Sequence, residues 1–230
     1  MRLLSGILIS SAITLVLSIG AIIMDVNEKN PFQVISNFLM KPFELQEGDN
    51  RQAVNDAAFG DEWGSTKQMI KNHEGKRLDV YEDTKGLPTV GYGHLVNPGD
   101  SLSVGDYITQ EHADSLFNVD WDHHLKDAQG LVSPESWENM PSNQRSALID
   151  LTYNMGPTKI RNEFPSMLQG FEEGWKTGDY SKAANNLKWV NPADTSAGHS
   201  QYWTDVGDRS QRIFDLIQGN TSVDLINQGY

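Results

Sequence analysis

Residues Leu3 to Met24 read LLSGILISSAITLVLSIGAIIM, a run of 22 positions without a charge. As a helix the run is about 33 Å long, enough to cross a hydrocarbon core of roughly 30 Å. Arg2 and the initiator amine precede it, while Asp25 and Glu28 follow it. The bias of positive charge toward the cytoplasmic side predicts an N-terminus held inside and a remainder exported. The apolar stretch of a cleaved signal peptide is usually shorter, about 7–15 residues. Residues 1–24 are therefore read as an uncleaved anchor, with cleavage near Ser18, Gly20 and Ala21 as the alternative. Ser5, Gly6, Ser10, Ser11, Ala12 and Thr14 dilute the run, and each hydroxyl or glycine weakens its partition into lipid. Such a helix could leave the bilayer when the membrane potential collapses.

The rest of the 230-residue chain is long enough for one self-sufficient core. There are no cysteines, so disulfides, thiolate metal sites and Cys nucleophiles are excluded. The formal net charge is −13, and the acidity is spread along the chain. A nucleic-acid partner is improbable on that balance, because phosphate neutralisation needs a basic face. His112, His123, His124 and Asp127 invite a metal reading, but adjacent His123 and His124 point apart on a helix. They are read as solvated helix positions; no metal and no cofactor is expected.

Residues 25–64 show no sustained period and carry Asn30-Pro31, Lys41-Pro42 and the polar run QEGDNRQ, which reads as a linker. An ordered extension packed on the domain is the alternative. From Ser65 the chain looks globular. Ser65-Thr66-Lys67-Gln68 fits a capping box opening a short helix toward His73. Arg77 to Leu95 then switches to strand-like residues between tight turns, the pattern of a small antiparallel sheet. Helical spacing follows over Thr109 to Asp127, Ser142 to Met155, Phe164 to Trp175, Ser181 to Trp189 and Asp208 to Gly219. The expected fold class is α+β, mainly helical, with a small antiparallel sheet in the N-terminal lobe and one N-terminal transmembrane helix. The globular domain is drawn at residues 65–220, with residues 221–230 as a C-terminal tail.

The chemistry is concentrated in EGKRLDVYEDTKGLPTVGYGH, from Glu74 to His94. One carboxyl ends a helix (Glu74), a second lies nine residues on in the sheet (Asp83), and Thr89 follows six further. Two carboxyls on separate elements can face one cleft from two sides. Glycosidic cleavage needs that arrangement, with an acid on the leaving oxygen and a base or electrostatic partner opposite.

The spacing E-x8-D-x5-T is followed by Gly91-Tyr92-Gly93-His94, Asp114-Ser115-Leu116-Phe117, Tyr153-Asn154-Met155-Gly156, Phe164 and Asp208-Arg209-Ser210-Gln211-Arg212. In that order the set resembles the phage-type lysozymes of glycoside hydrolase family 24. The resemblance implies a lysozyme-like fold and a peptidoglycan hydrolase. It would cut the β-1,4 bond between N-acetylmuramic acid and N-acetylglucosamine, with inversion, and cause lysis of the cell wall. It also implies Glu74 as the general acid, Asp83 as the residue activating the attacking water, and Thr89 as the hydroxyl holding that water. Arg209 would lie beside Glu74, His94 would complete the same polar cluster, and Asn154 is a saccharide contact. The diluted apolar run is similar to the signal-arrest-release segments of some phage endolysins. The expected setting is then a monomer at the host inner membrane, its catalytic domain on the periplasmic side, tethered there or released. Glycan strands of peptidoglycan and the membrane would be its partners. A lytic transglycosylase and a non-catalytic, membrane-anchored peptidoglycan-binding module are the competing readings.

Overall fold

The computed structural model describes residues 63–229. The anchor and nearly all of the linker expected from the sequence lie outside the described residues. Within them, ten α-helices accompany one three-stranded antiparallel sheet.

Helix α1 spans Gly64–Glu74. The expected capping box is not what starts it. The Trp63 carbonyl accepts from Lys67 N at 2.7 Å, which places Ser65 and Thr66 inside the helix. Trp63 sets that entry by packing between Trp121 and Trp137, with ring centroids 6.0 and 6.3 Å away. Thr66 is consequently buried, and its hydroxyl shares a 2.8 Å hydrogen bond with that of Ser146.

Strands β1 (Arg77–Glu82), β2 (Pro88–Gly91) and β3 (His94–Leu95) pair in chain order. Tyr81 faces Thr89 across the first pair, and Val90 faces His94 across the second. Gly91 and Gly93 both take positive φ, 67° and 90°, which lets the chain reverse through Tyr92-Gly93 between β2 and β3. Val80 and Val90 point from the sheet into a small core with Ile108, Ala113 and Leu116.

Helix α2 (Gln110–Gln129) is the longest, about 30 Å. Thr109 caps it, its hydroxyl accepting from His112 N. Ala113 and Leu116 belong to the core under the sheet, while Phe117, Trp121 and Ala128 belong to the larger helical core. One helix thus ties both cores together. His124 is not a solvated position as expected: it is half-buried, its ring 4.3 Å from that of Tyr153.

Helices α3 (Pro134–Asn139), α4 (Ser142–Met155), α5 (Pro157–Glu163), α6 (Pro165–Thr177), α7 (Ser181–Lys188), α8 (Gln201–Val206), α9 (Asp208–Gln218) and α10 (Val223–Asn227) complete the domain. Helix α4 is central, buried on every position from Ser146 to Thr152. Gly156 ends it at φ 74°, and Pro157 opens α5 rather than leading into a loop. The segment set apart as a C-terminal tail is part of the domain. Its Val223 and Ile226 are buried in the main core, and Asn227 Nδ2 donates to the Ser65 carbonyl at 2.8 Å. Four short helices (α3, α5, α8 and α10) were not legible as periods, because five to seven residues show too few turns for one.

Candidate active site

Glu74 is the last residue of α1, where the helix dipole disfavours a negative charge. Gly75 continues the chain at φ 69°, turning it away toward β1. A β-carbon on Gly93 would stand 3.8 Å from Glu74 Oε2, so the β2–β3 turn passes close beside this carboxyl. The Glu74 side chain is 21% exposed. Burial pushes its carboxyl above the ordinary glutamate range, although the Arg209 cation opposes the rise. Arg209, in the first turn of α9, places Nη1 2.8 Å from Glu74 Oε1. The pairing expected between Glu74 and Arg209 is present.

Behind that pair lies Asp150, wholly buried on α4. Its Oδ1 accepts from Arg209 Nη2 at 3.0 Å, and its Oδ2 from Arg209 Nε at 3.1 Å. His73 Nδ1 is 2.9 Å from Oδ1. Burial alone would raise the Asp150 carboxyl, but Arg209 and His73 outweigh it and hold the group below its usual range. Burial likewise opposes the Arg209 cation, and the two carboxylates more than restore it. Neither Asp150 nor His73 was singled out in the sequence. The signal was available for Asp150: a lone carboxylate inside Ala147-Leu148-Ile149-Asp150-Leu151, three residues from Ala147 on the apolar face.

Asp83 sits at the mouth of the β1–β2 turn. Its N–H donates to the Leu87 carbonyl at 2.9 Å, while its Oδ1 accepts from Lys85 N and Leu87 N at 2.8 and 2.9 Å. Both of these side-chain hydrogen bonds fall on Oδ1, and neither turn amide reaches Oδ2. The Leu87 amide first, and that of Lys85, hold the carboxyl below the ordinary aspartate range, so it is ionised at neutral pH. Thr89 is buried on β2, and its hydroxyl donates to the Leu87 carbonyl at 3.1 Å. Asp83 and Thr89 are therefore oriented by the same turn residue, through its amide and its carbonyl.

His94 departs from the expectation that it completes the Glu74 cluster. Its Nδ1 lies 2.9 Å from Asp120 Oδ2 and its Nε2 3.1 Å from Asp100 Oδ2. Both ring nitrogens are thus committed to other carboxylates, and none remains for Glu74. The reason is register: His94 pairs with Val90 across the sheet, beneath α2, which carries Asp120. Asn154 is exposed in the last turn of α4. A separate cavity of about 280 Å³ is lined by Phe164, Met167, Asn186, Trp189 and Gln201, among others. Trp203 stacks near His199 and meets Phe214 edge-on, with centroids 5.6 and 5.7 Å apart.

The two carboxyls sit in opposite electrostatic environments, Glu74 raised by burial and Asp83 lowered by turn amides. Fold and site together define a mainly helical hydrolase of the lysozyme class. Residues 71–201 match the phage lysozyme family. The chain belongs to that family. It is 33% identical to the endolysin of Acyrthosiphon pisum secondary endosymbiont phage 1 over 122 residues, 53% of this chain and 74% of that one. It is 28% identical to the SAR-endolysin of Bacteriophage PS119 over 130 residues, 56% of this chain and 67% of the other. Among solved structures, the endolysin from Escherichia coli O157:H7 phage FAHEc1 superposes with a TM-score of 0.51 at 23% identity. That superposition covers 69% of this chain and 94% of the other, and it speaks for the fold alone.

Proposed function

We propose that this peptidoglycan hydrolase is an N-acetylmuramidase of the endolysin type, with Glu74 as general acid and Asp83 activating the attacking water. The observation that carries the reading is the contrast between the two carboxyls: burial raises Glu74, and turn amides lower Asp83. In the reaction, Glu74 donates its proton to the leaving glycosidic oxygen as the bond to the anomeric carbon breaks. Asp83 accepts a proton from a water attacking the opposite face, through Oδ2, the oxygen that takes no turn amide. The Thr89 hydroxyl, oriented through Leu87, holds that water by a lone pair. Arg209 orients Glu74 before the proton leaves and pairs with the carboxylate afterwards. Asn154 contacts the saccharide from the end of α4. His94 belongs to the support of the sheet rather than to the reacting groups.

The test uses the full chain in detergent and its Glu74→Gln twin on purified Gram-negative peptidoglycan. The wild type should clear the wall and release N-acetylmuramic acid reducing ends, and the variant should lose at least about 100-fold in rate. An anhydro sugar end instead would establish a transglycosylase. Binding without clearing by either protein would leave only a binding module.

We further read residues 1–24 as a signal-anchor that holds a monomeric enzyme at the inner membrane, facing the periplasm. The run of 22 uncharged residues supports this reading, as does the likeness to a SAR-endolysin.

A further inference from the structure

Glu74 faces an awkward requirement. A general acid must keep its proton near neutral pH, yet a guanidinium stands 2.8 Å away. A bare cation at that distance favours the carboxylate and would disarm the acid. The fold supplies a second carboxylate behind the cation. Asp150 takes Nε and Nη2 of Arg209 through its two oxygens, leaving Nη1 for Glu74. The guanidinium is planar and rigid, so fixing two of its nitrogens fixes the third.

We propose that Asp150 is a positioning residue for the general acid: it aims Arg209 Nη1 at Glu74 and cancels the guanidinium charge. This rests on Glu74 being the general acid. Arg209 Nη1 then stands 2.8 Å from Glu74 Oε1 as one arm of a guanidinium–carboxylate pair that is nearly neutral overall. It orients the acid without stripping it of its proton. The groups facing Glu74 are few. His73 comes from its own helix, Asp150 and Tyr153 from α4, Tyr202 from α8 and Arg209 from α9. Burial pushes both tyrosine phenols far up, so they stay neutral. His73 Nδ1 is occupied by Asp150. Among the described residues, Asp150 is therefore the one negative charge that offsets Arg209 besides Glu74 itself. The Asp150 charge also raises the Glu74 carboxyl, in the direction the geometry demands.

The experiment compares pH profiles of kcat/KM on peptidoglycan for the full-length wild type and Asp150→Asn, beside a carbon-13 NMR titration of the Glu74 carboxyl. The amide keeps the shape and one acceptor oxygen but removes the charge. The expected result is an alkaline limb, and a Glu74 titration, moved about one unit toward acid. That shift costs about tenfold in rate above both midpoints and little below them. A uniform loss at every pH, with the Glu74 titration unmoved, would overturn the proposal and leave Asp150 a structural residue. If Asp150→Asn does not fold, the double variant Asp150→Asn/Arg209→Gln removes both charges together. An alkaline limb within about half a unit of wild type then supports cancellation, and a larger rise overturns it. Glu74→Gln separates the two levels of inference. If that variant stays active, the assignment of Glu74 fails. If it is inactive while the limbs do not move, only the role of Asp150 fails.

Discussion

At the scale of single residues, the site shows how one kind of group, the carboxyl, is given three environments. Glu74 is desolvated at a helix end, Asp83 is wrapped by two turn amides, and Asp150 is buried against Arg209 and His73. Only the environments differ. His94 shows the same logic for a base, because the Asp120 hydrogen bond first, and then Asp100, raises its imidazole above 6.5 against the effect of burial. A histidine raised on folding contributes stability that is complete below its unfolded value and lost as pH climbs through the folded one. His94→Asn should therefore cost about 2 kcal/mol near pH 5. Thermal unfolding should show that gap narrowing steadily above about pH 6.5. A gap independent of pH would mean that the imidazole is not charged in this clamp. The family resemblance implied His94 beside Glu74, and its actual partners were not legible, since they come from 26 residues downstream and from a 3-10 turn six residues on.

Among elements, the tightest constraint is between α6 and α7. A β-carbon on Gly170 would lie 2.3 Å from Ala183 N and 2.6 Å from Ala183 Cα. These are backbone atoms, which cannot swing aside. Gly170→Ala should gain about 1 kcal/mol in helix propensity and lose more by forcing the helices apart. A net destabilisation of about 2–3 kcal/mol is expected in denaturant unfolding. Unchanged stability would show that the two helices can separate freely. The sequence displayed Phe164, Leu168, Phe171 and Trp175 as one helical face, and that face was readable. Gly170 was not, since a glycine in a helix looks like a weak position until the partner backbone is in view. The false capping box at Ser65 failed for a related reason, because aromatic packing of Trp63 chose the first turn instead.

At the scale of the whole molecule, the anchor reading rests on the chain before residue 63. Full-length protein made in bacteria should sediment with inner membranes. Collapse of the membrane potential by a protonophore should move it to the soluble fraction. Solubility in energised cells would sink the anchor, and sedimentation that never reverses would leave a permanent tether.

What the sequence by itself determined was the class of fold and the family. Periodicity marks the long helices, and the ordered motifs from Glu74 onward carry the family resemblance, because both are local properties of the chain. What only the tertiary structure decided was the company those residues keep. Arg209 reaches Glu74 and Asp150 from 135 and 59 positions away in the numbering. His94 turns to Asp120 rather than to the acid, and Val223 and Ile226 close the core from beyond the last visible period. Burial and charge compensation arise only when distant segments exclude water together, so no local pattern carries them.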